Sequence, residues 1–188
     1  MDQVSFCASQ FSGITNPKLG MLAPGQGTSV WALGLLITIK ALGSENGGSY
    51  SLSEMVVYPG QEVSRHLHTS EDEMWYMLEG ELIWNLGGRE SLGRKGSFIH
   101  LPRFIPHSFM NKSDKPARMM LMYTPGGFEQ WYLDVGKKVH DISDLPPEVT
   151  ADELSQALQR GQEYGIMFVD HDLEELSHGK LSNGAHYR

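Results

Sequence analysis

Between about residues 30 and 124, short apolar and β-branched runs alternate with polar, glycine-containing breaks. "LLITIK", "YSLSEMVVY", "EMWYMLEGELIWNL", "SFIHL" and "ARMMLMYT" read as strands. The breaks "SENGGS", "YPGQ", "NLGGRE", "GRKG" and "NKSDKP" supply Gly, Pro and Asn where a turn needs positive or fixed φ. Strands this short and closely spaced predict an all-β sandwich or barrel, not alternating β and α units. The flanks differ. Residues 1–29 are rich in Gly, Pro, Ser and Thr and read as an N-terminal arm. After residue 125, "GGFEQWYLDVGKK" predicts a short helix with Phe128, Trp131, Tyr132 and Val135 on one face. "TADELSQALQRGQEYG" predicts another, with Thr150 and Glu153 as a capping box and Leu154, Ala157 and Leu158 as its apolar stripe. The expected organisation is an arm (1–29), a barrel (30–124), and a helical extension with a polar tail (125–188).

Composition narrows the function classes. The chain has 188 residues, 40% hydrophobic and 20% charged, as in an ordinary globular protein with one sizeable core. Its 23 acidic and 15 basic residues give a net charge of −8. That balance argues against nucleic acid, which selects a basic face, and against anionic membranes. The single cysteine, Cys7, forbids an intrachain disulfide. "MDQVSFCASQFSG" lacks the pattern of a secretory signal, and "VWALGLLITI" is too short to span a bilayer. A cytoplasmic protein is expected.

One stretch does not suit a plain strand. "HLHTSEDE", residues 66–73, places two histidines two apart, then acids. Residues two apart on a strand share a face, so His66 and His68 aim together. A turn at "TSED" and a return strand can bring Glu73 beside them. His107, in "LPRFIPHSFMN", is a fourth candidate. Three imidazoles and one carboxylate suit a divalent transition metal such as Fe, Mn, Co, Ni, Cu or Zn. Such a set leaves coordination positions open, as a catalytic site requires.

These spacings resemble the cupin superfamily. Its first motif is Gly, five residues, His-x-His, three or four residues, Glu, six residues, Gly. Here it runs Gly60, "QEVSR", His66, Leu67, His68, "TSED", Glu73, "MWYMLE", Gly80. The second motif is Gly, five residues, Pro-x-Gly, two residues, His, three residues, Asn. Here it runs Gly96, "SFIHL", Pro102, Arg103, Phe104, "IP", His107, "SFM", Asn111. Phe104 departs from it, standing where the motif has Gly, which puts the local turn in question and not the ligands. The resemblance, carried by motifs at 60–80 and 96–111, implies a double-stranded β-helix, the cupin jelly-roll barrel, with short C-terminal helices appended. It implies one metal ion per chain held by His66, His68, Glu73 and His107.

The flanking segments are more loosely similar to quercetin-dioxygenase-like one-domain cupins. In those, the Glu equivalent to Glu73 also takes a proton from the substrate hydroxyl. The function implied is a metal-dependent oxygenase acting on a small enolic or hydroxy-keto aromatic substrate. Cupin isomerases and cyclases, or a non-enzymatic small-molecule binder, are the alternatives. Met55, Trp75, Met77 and Phe109 share faces with the ligands and line either a substrate pocket or the barrel core. Glu71 and Asp72 read as solvent-facing turn residues. His100 reads as a core or edge histidine, and His140, His171, His178 and His186 as surface residues. A homodimer is expected, with the apolar 30–39 run and the aromatic helix near residue 131 available to cover its interface.

Overall fold

A computed structural model describes residues 20–169. Cys7, most of the arm, and the tail with His171, His178 and His186 lie outside the described residues. Twelve strands and two α-helices follow one another along the rest. They are β1 (Thr28–Ala32), β2 (Leu35–Ala41), β3 (Ser51–Val57), β4 (Glu62–His68), β5 (Asp72–Glu79) and β6 (Glu81–Leu86). Then come β7 (Arg89–Arg94), β8 (Phe98–Leu101), β9 (His107–Met110), β10 (Ala117–Thr124), α1 (Glu129–Val135), β11 (Lys137–Lys138), α2 (Ala151–Gly161) and β12 (Ile166–Phe168).

The strands form two antiparallel sheets. One has the order β11-β1-β2-β3-β10-β5-β8 and the other β12-β4-β9-β6-β7. Alternation is regular where a strand has one wet and one dry face. On β3, Ser51, Ser53, Met55 and Val57 point inward, and on β10 Ala117, Met119, Leu121 and Tyr123 do. The inward residues of the two sheets meet in an aromatic core. Trp75 lies 5.4 Å from both Trp84 and Phe109, and Trp84 lies 4.8 Å from Phe109, all at tilted or edge-on angles.

The run "EMWYMLEGELIWNL" is not one strand. The chain leaves the larger sheet at the end of β5 and enters the smaller one at β6, turning on Gly80. Gly80 has φ 70°, and a Cβ there would stand 2.7 Å from the Pro116 carbonyl oxygen and the Ala117 Cα. Only glycine permits that corner. The turn after β4 is a similar crossing. It carries the chain from the smaller sheet to the larger, so β4 and β5 face each other across the interior.

The helices form as the sequence predicts. Thr150 Oγ1 accepts from the Glu153 amide and the Glu153 carboxylate accepts from the Thr150 amide, closing the capping box of α2. α1 packs Phe128, Trp131 and Tyr132 into the core. The Trp131 indole N–H donates to the Ala157 carbonyl, tying α1 to α2. Val30, Trp31, Ile37, Trp131 and Tyr132 are buried within the chain itself. The chain's own core uses this apolar surface. β12 was not apparent from the sequence; it adds a short edge to the smaller sheet by pairing with β4. Among the described residues, no helix is long and apolar enough to cross a membrane.

Candidate metal centre

β4 points His66 and His68 inward, two residues apart on one face. β9 begins at His107, directly opposite His66 in the ladder. The approach is set by Pro102 and Pro106 and by Phe104, whose amide donates to the His68 carbonyl at 2.8 Å. Phe104 takes the left-handed conformation, φ 66°, so the chain keeps the turn that the motif's glycine would make. Glu73 comes from the opposite sheet, on β5. Asn111 is fully buried and holds the loop after β9 by donating to the carbonyls of Val57 and Lys115, each at 2.8 Å.

The four side chains converge. One donor atom from each of His66, His68, Glu73 and His107 lies within 4.8 Å of the other three, and all four residues are buried. Two of the three rings are held by their other nitrogen. His66 Nδ1 is 2.8 Å from the Ser64 carbonyl oxygen and His107 Nδ1 is 2.9 Å from that of Ile105. These contacts place the ring protons on Nδ1 and leave Nε2 with its lone pair. His68 Nε2 approaches Glu73 Oε1 to 3.1 Å, and His107 Nε2 approaches Oε2 to 2.9 Å. Neither approach has hydrogen-bonding geometry, and among the described residues His68 Nε2, His107 Nε2 and Glu73 Oε1 have no hydrogen-bond partner. Buried polar atoms are rarely left so. Three imidazole nitrogens and a carboxylate oxygen around one point are the donor set of a divalent transition metal, so the residues present fit the ion.

The electrostatics show the same crowding. Burial, then the charges of His107 and His68, lower His66 to about 3, which keeps it neutral. Burial opposes charge on His68 as well, but Glu73 and then Glu71 outweigh it and push His68 up to about 9. Burial acts to raise Glu73, yet the charge of His68 and the neighbouring His107 hold it well below the ordinary carboxylate value. Glu73 is therefore ionised at neutral pH although only 1% exposed.

A cavity of about 60 Å3 opens from the cluster. Met55, Trp75 and Phe109 line it, as the sequence allowed, and so do Leu154 and Leu158 from α2. Met77 does not. It lies two residues further along β5, opposite Met119, and is fully buried in the core. Residues outside the barrel strands close the cavity: Phe128, Trp131 and Tyr132 around α1, and Ile166 and Phe168 on β12. Phe168 packs 5.8 Å from the His66 ring. Among the described residues, no Lys or Arg lines the cavity.

Two features were not anticipated, the burial of Glu71 and a pair of tyrosine hydroxyls beside Glu73. Glu71 is buried, 7% exposed, with Oε2 3.5 Å from His68 Nδ1, which corrects its assignment to solvent. Asp72 does face outward, bonded to the Arg103 side chain. Tyr123 lies opposite Glu73 in the ladder and its hydroxyl is 2.8 Å from that of Tyr132. Strand parity points Tyr123 inward; only the docking of α1 brings Tyr132 to it. His100 is exposed on edge strand β8, and His140 is exposed too.

Comparison with known proteins agrees with this geometry. The family model described as "Cupin domain" matches residues 53–123. The tetracenomycin polyketide synthase protein TcmJ of Streptomyces glaucescens is 28% identical over 90 residues, covering 48% of this chain and 58% of that protein. Quercetin 2,3-dioxygenase of Bacillus subtilis is 25% identical over 134 residues, covering 69% of this chain and 40% of that protein. The chain thus matches less than two thirds of the length of either. The polyketide cyclase RemF of Streptomyces resistomycificus has the same fold, with a TM-score of 0.50 and 21% identity, over 57% of this chain and 80% of that one.

Proposed function

Because residues 53–123 are a cupin domain with a buried His66-His68-Glu73-His107 cluster, we propose that the protein is a metal-dependent enzyme. We infer that its substrate is a small molecule with adjacent hydroxyl and keto oxygens and that its reaction is an oxygenation. The observation that carries this reading is the convergence of four buried donors on a mostly apolar cavity.

The three histidines and Glu73 would hold one divalent ion. When bound, that ion supplies a Lewis-acid site for a substrate oxygen and a route to reaction with O₂. The chain supplies the rest. Glu73 is ionised, the state in which it can take the substrate hydroxyl proton. Its Oε2 is held by the Trp75 indole N–H at 3.2 Å, which orients the carboxylate. Trp75, Phe109 and Phe128 offer flat apolar surface to an aromatic body and exclude water. The closed cavity is far below the roughly 300–1,000 Å3 of typical small-molecule pockets, so an aromatic enol enters by displacing α2 and β12.

A non-oxidative reaction is the second reading. The resemblance to a polyketide synthase protein favours it, and Glu73 can move a substrate proton without O₂.

Metal analysis of the purified protein beside a His66→Ala, His107→Ala double variant tests the proposal. The expected result is one transition metal per chain in the wild type and none in the variant. No uptake after reconstitution with Fe, Mn, Co, Ni, Cu or Zn would overturn it. Oxygen consumption with enolic substrates then separates oxygenase from cyclase.

A further inference from the structure

The three imidazoles of the cluster are not held alike. His66 and His107 each rest Nδ1 against a backbone carbonyl, at 2.8 and 2.9 Å. His68 has no such carbonyl. Its Nδ1 faces the Glu71 carboxylate at 3.5 Å, the outer limit of a hydrogen bond. Both atoms are buried, and among the described residues neither has a hydrogen-bond partner, each other included. Taking a carboxylate out of water is costly unless it is paired. The ring that faces Glu71 Oε2 is the one that aims its other nitrogen at the metal-binding point.

We propose that Glu71 is a positioning residue for the metal centre, accepting a hydrogen bond from the His68 Nδ1–H when the ion is held, so that Nε2 is fixed as a ligand and made more electron-rich. This rests on reading the four-residue cluster as a metal site. Glu71 is not a fifth ligand, because it lies on the Nδ1 side of the ring, away from the point where the other donors meet. Its inward direction is built into the crossing between the sheets. At one end, the Thr69 amide donates to the Gly165 carbonyl at 2.9 Å. At the other, Asp72 is drawn outward by both Arg103 Nε at 3.0 Å and the Arg103 amide at 2.9 Å. Between these anchors the side chain of Glu71 turns in. A carboxylate behind a metal-bound histidine raises the basicity of the ligand and fixes its tautomer.

Chelator-competition titration of the full chain with Co²⁺ tests this, using wild type, Glu71→Gln, Glu71→Ala and the exposed-charge control Glu90→Gln. The expected loss of Co²⁺ affinity in Glu71→Ala is about 10–100-fold. Glu71→Gln falls between, because its amide oxygen still accepts but carries no charge. The visible bands of the cobalt form shift in both Glu71 variants and not in Glu90→Gln. The melting temperature of the metal-free protein does not follow the affinity, which a purely structural role would require. Should Glu71→Ala fail to fold, the isosteric Glu71→Gln carries the comparison alone. Wild-type affinity and spectrum in the Glu71 variants would overturn the inference and leave the metal centre standing. No Co²⁺ binding by the wild type would remove the metal reading, and this inference with it.

Discussion

Phe104 holds a backbone conformation that most side chains avoid. At φ 66° its Cβ is crowded by the following carbonyl, and the ring is 60% exposed and so recovers little by packing. Glycine at this position removes the crowding but gains freedom in the unfolded chain. Phe104→Gly is therefore expected to raise stability by up to about 1 kcal/mol in urea unfolding. A clear fall instead would show that the ring makes a contact worth more than the strain. The same site shows what was legible at this scale. His66, His68, Glu73 and His107 stood out because their spacing follows strand parity and two motifs. Glu71 did not, because the direction of a side chain in a turn depends on where the chain is going. A hairpin would have turned it to solvent; a crossing between sheets turns it in.

At the scale of elements, the cavity is walled by α1, α2 and β12, and one carboxylate ties them together. Asp134 on α1 accepts from Arg160 on α2 at 2.8 Å, from Gln130 at 2.9 Å, and from the Tyr164 hydroxyl just before β12. The hydrogen bond from Tyr164, then that from Gln130, hold its carboxyl below the ordinary value of 3.8. A group depressed in the folded state stabilises that state above its unfolded value and loses the effect as pH falls through its folded value. The clamp is thus intact at neutral pH and released in acid below that carboxyl range. Amide exchange at residues 166–168, corrected for intrinsic rates, is expected to accelerate there. Asp134→Asn should show the faster exchange at neutral pH and little further change in acid. The helices of this cap were readable from a capping box and an apolar stripe. β12 was not, because a three-residue strand has too little period to recognise, and its pairing depends on a partner about a hundred positions earlier.

For the whole molecule, the important fact is that the candidate ligands come from both sheets. β4 and β9 of the smaller sheet supply three histidines, and β5 of the larger supplies the glutamate. A bound ion would join the two layers directly, and anything that binds only the folded state stabilises it by mass action. At a hundredfold excess over Kd the gain is about 2.7 kcal/mol. For a chain of this size each kcal/mol raises Tm by about 2–4 °C. Thermal unfolding is expected to shift upward on loading, to revert with chelator, and to stay unchanged in the His66→Ala, His107→Ala variant. The sequence could indicate the layered β architecture, since alternation and turn residues are local. It could not indicate that the crossings at 69–71 and at Gly80 each change sheet, because that choice is made by packing.

The short pairing of β12 with β4 reaches beyond the cavity. β4 lies between β9 and β12, and residues 66–68 carry two metal-ligand candidates on the strand that β12 covers. Lifting the cap to admit a substrate would bare an edge, a row of unpaired amides and carbonyls open to any matching strand. The best match at hand is the same three residues of another copy. If the cap lifts in this way, the bared edge of β4 would be open to the β12 of a second copy, the geometry of a domain swap.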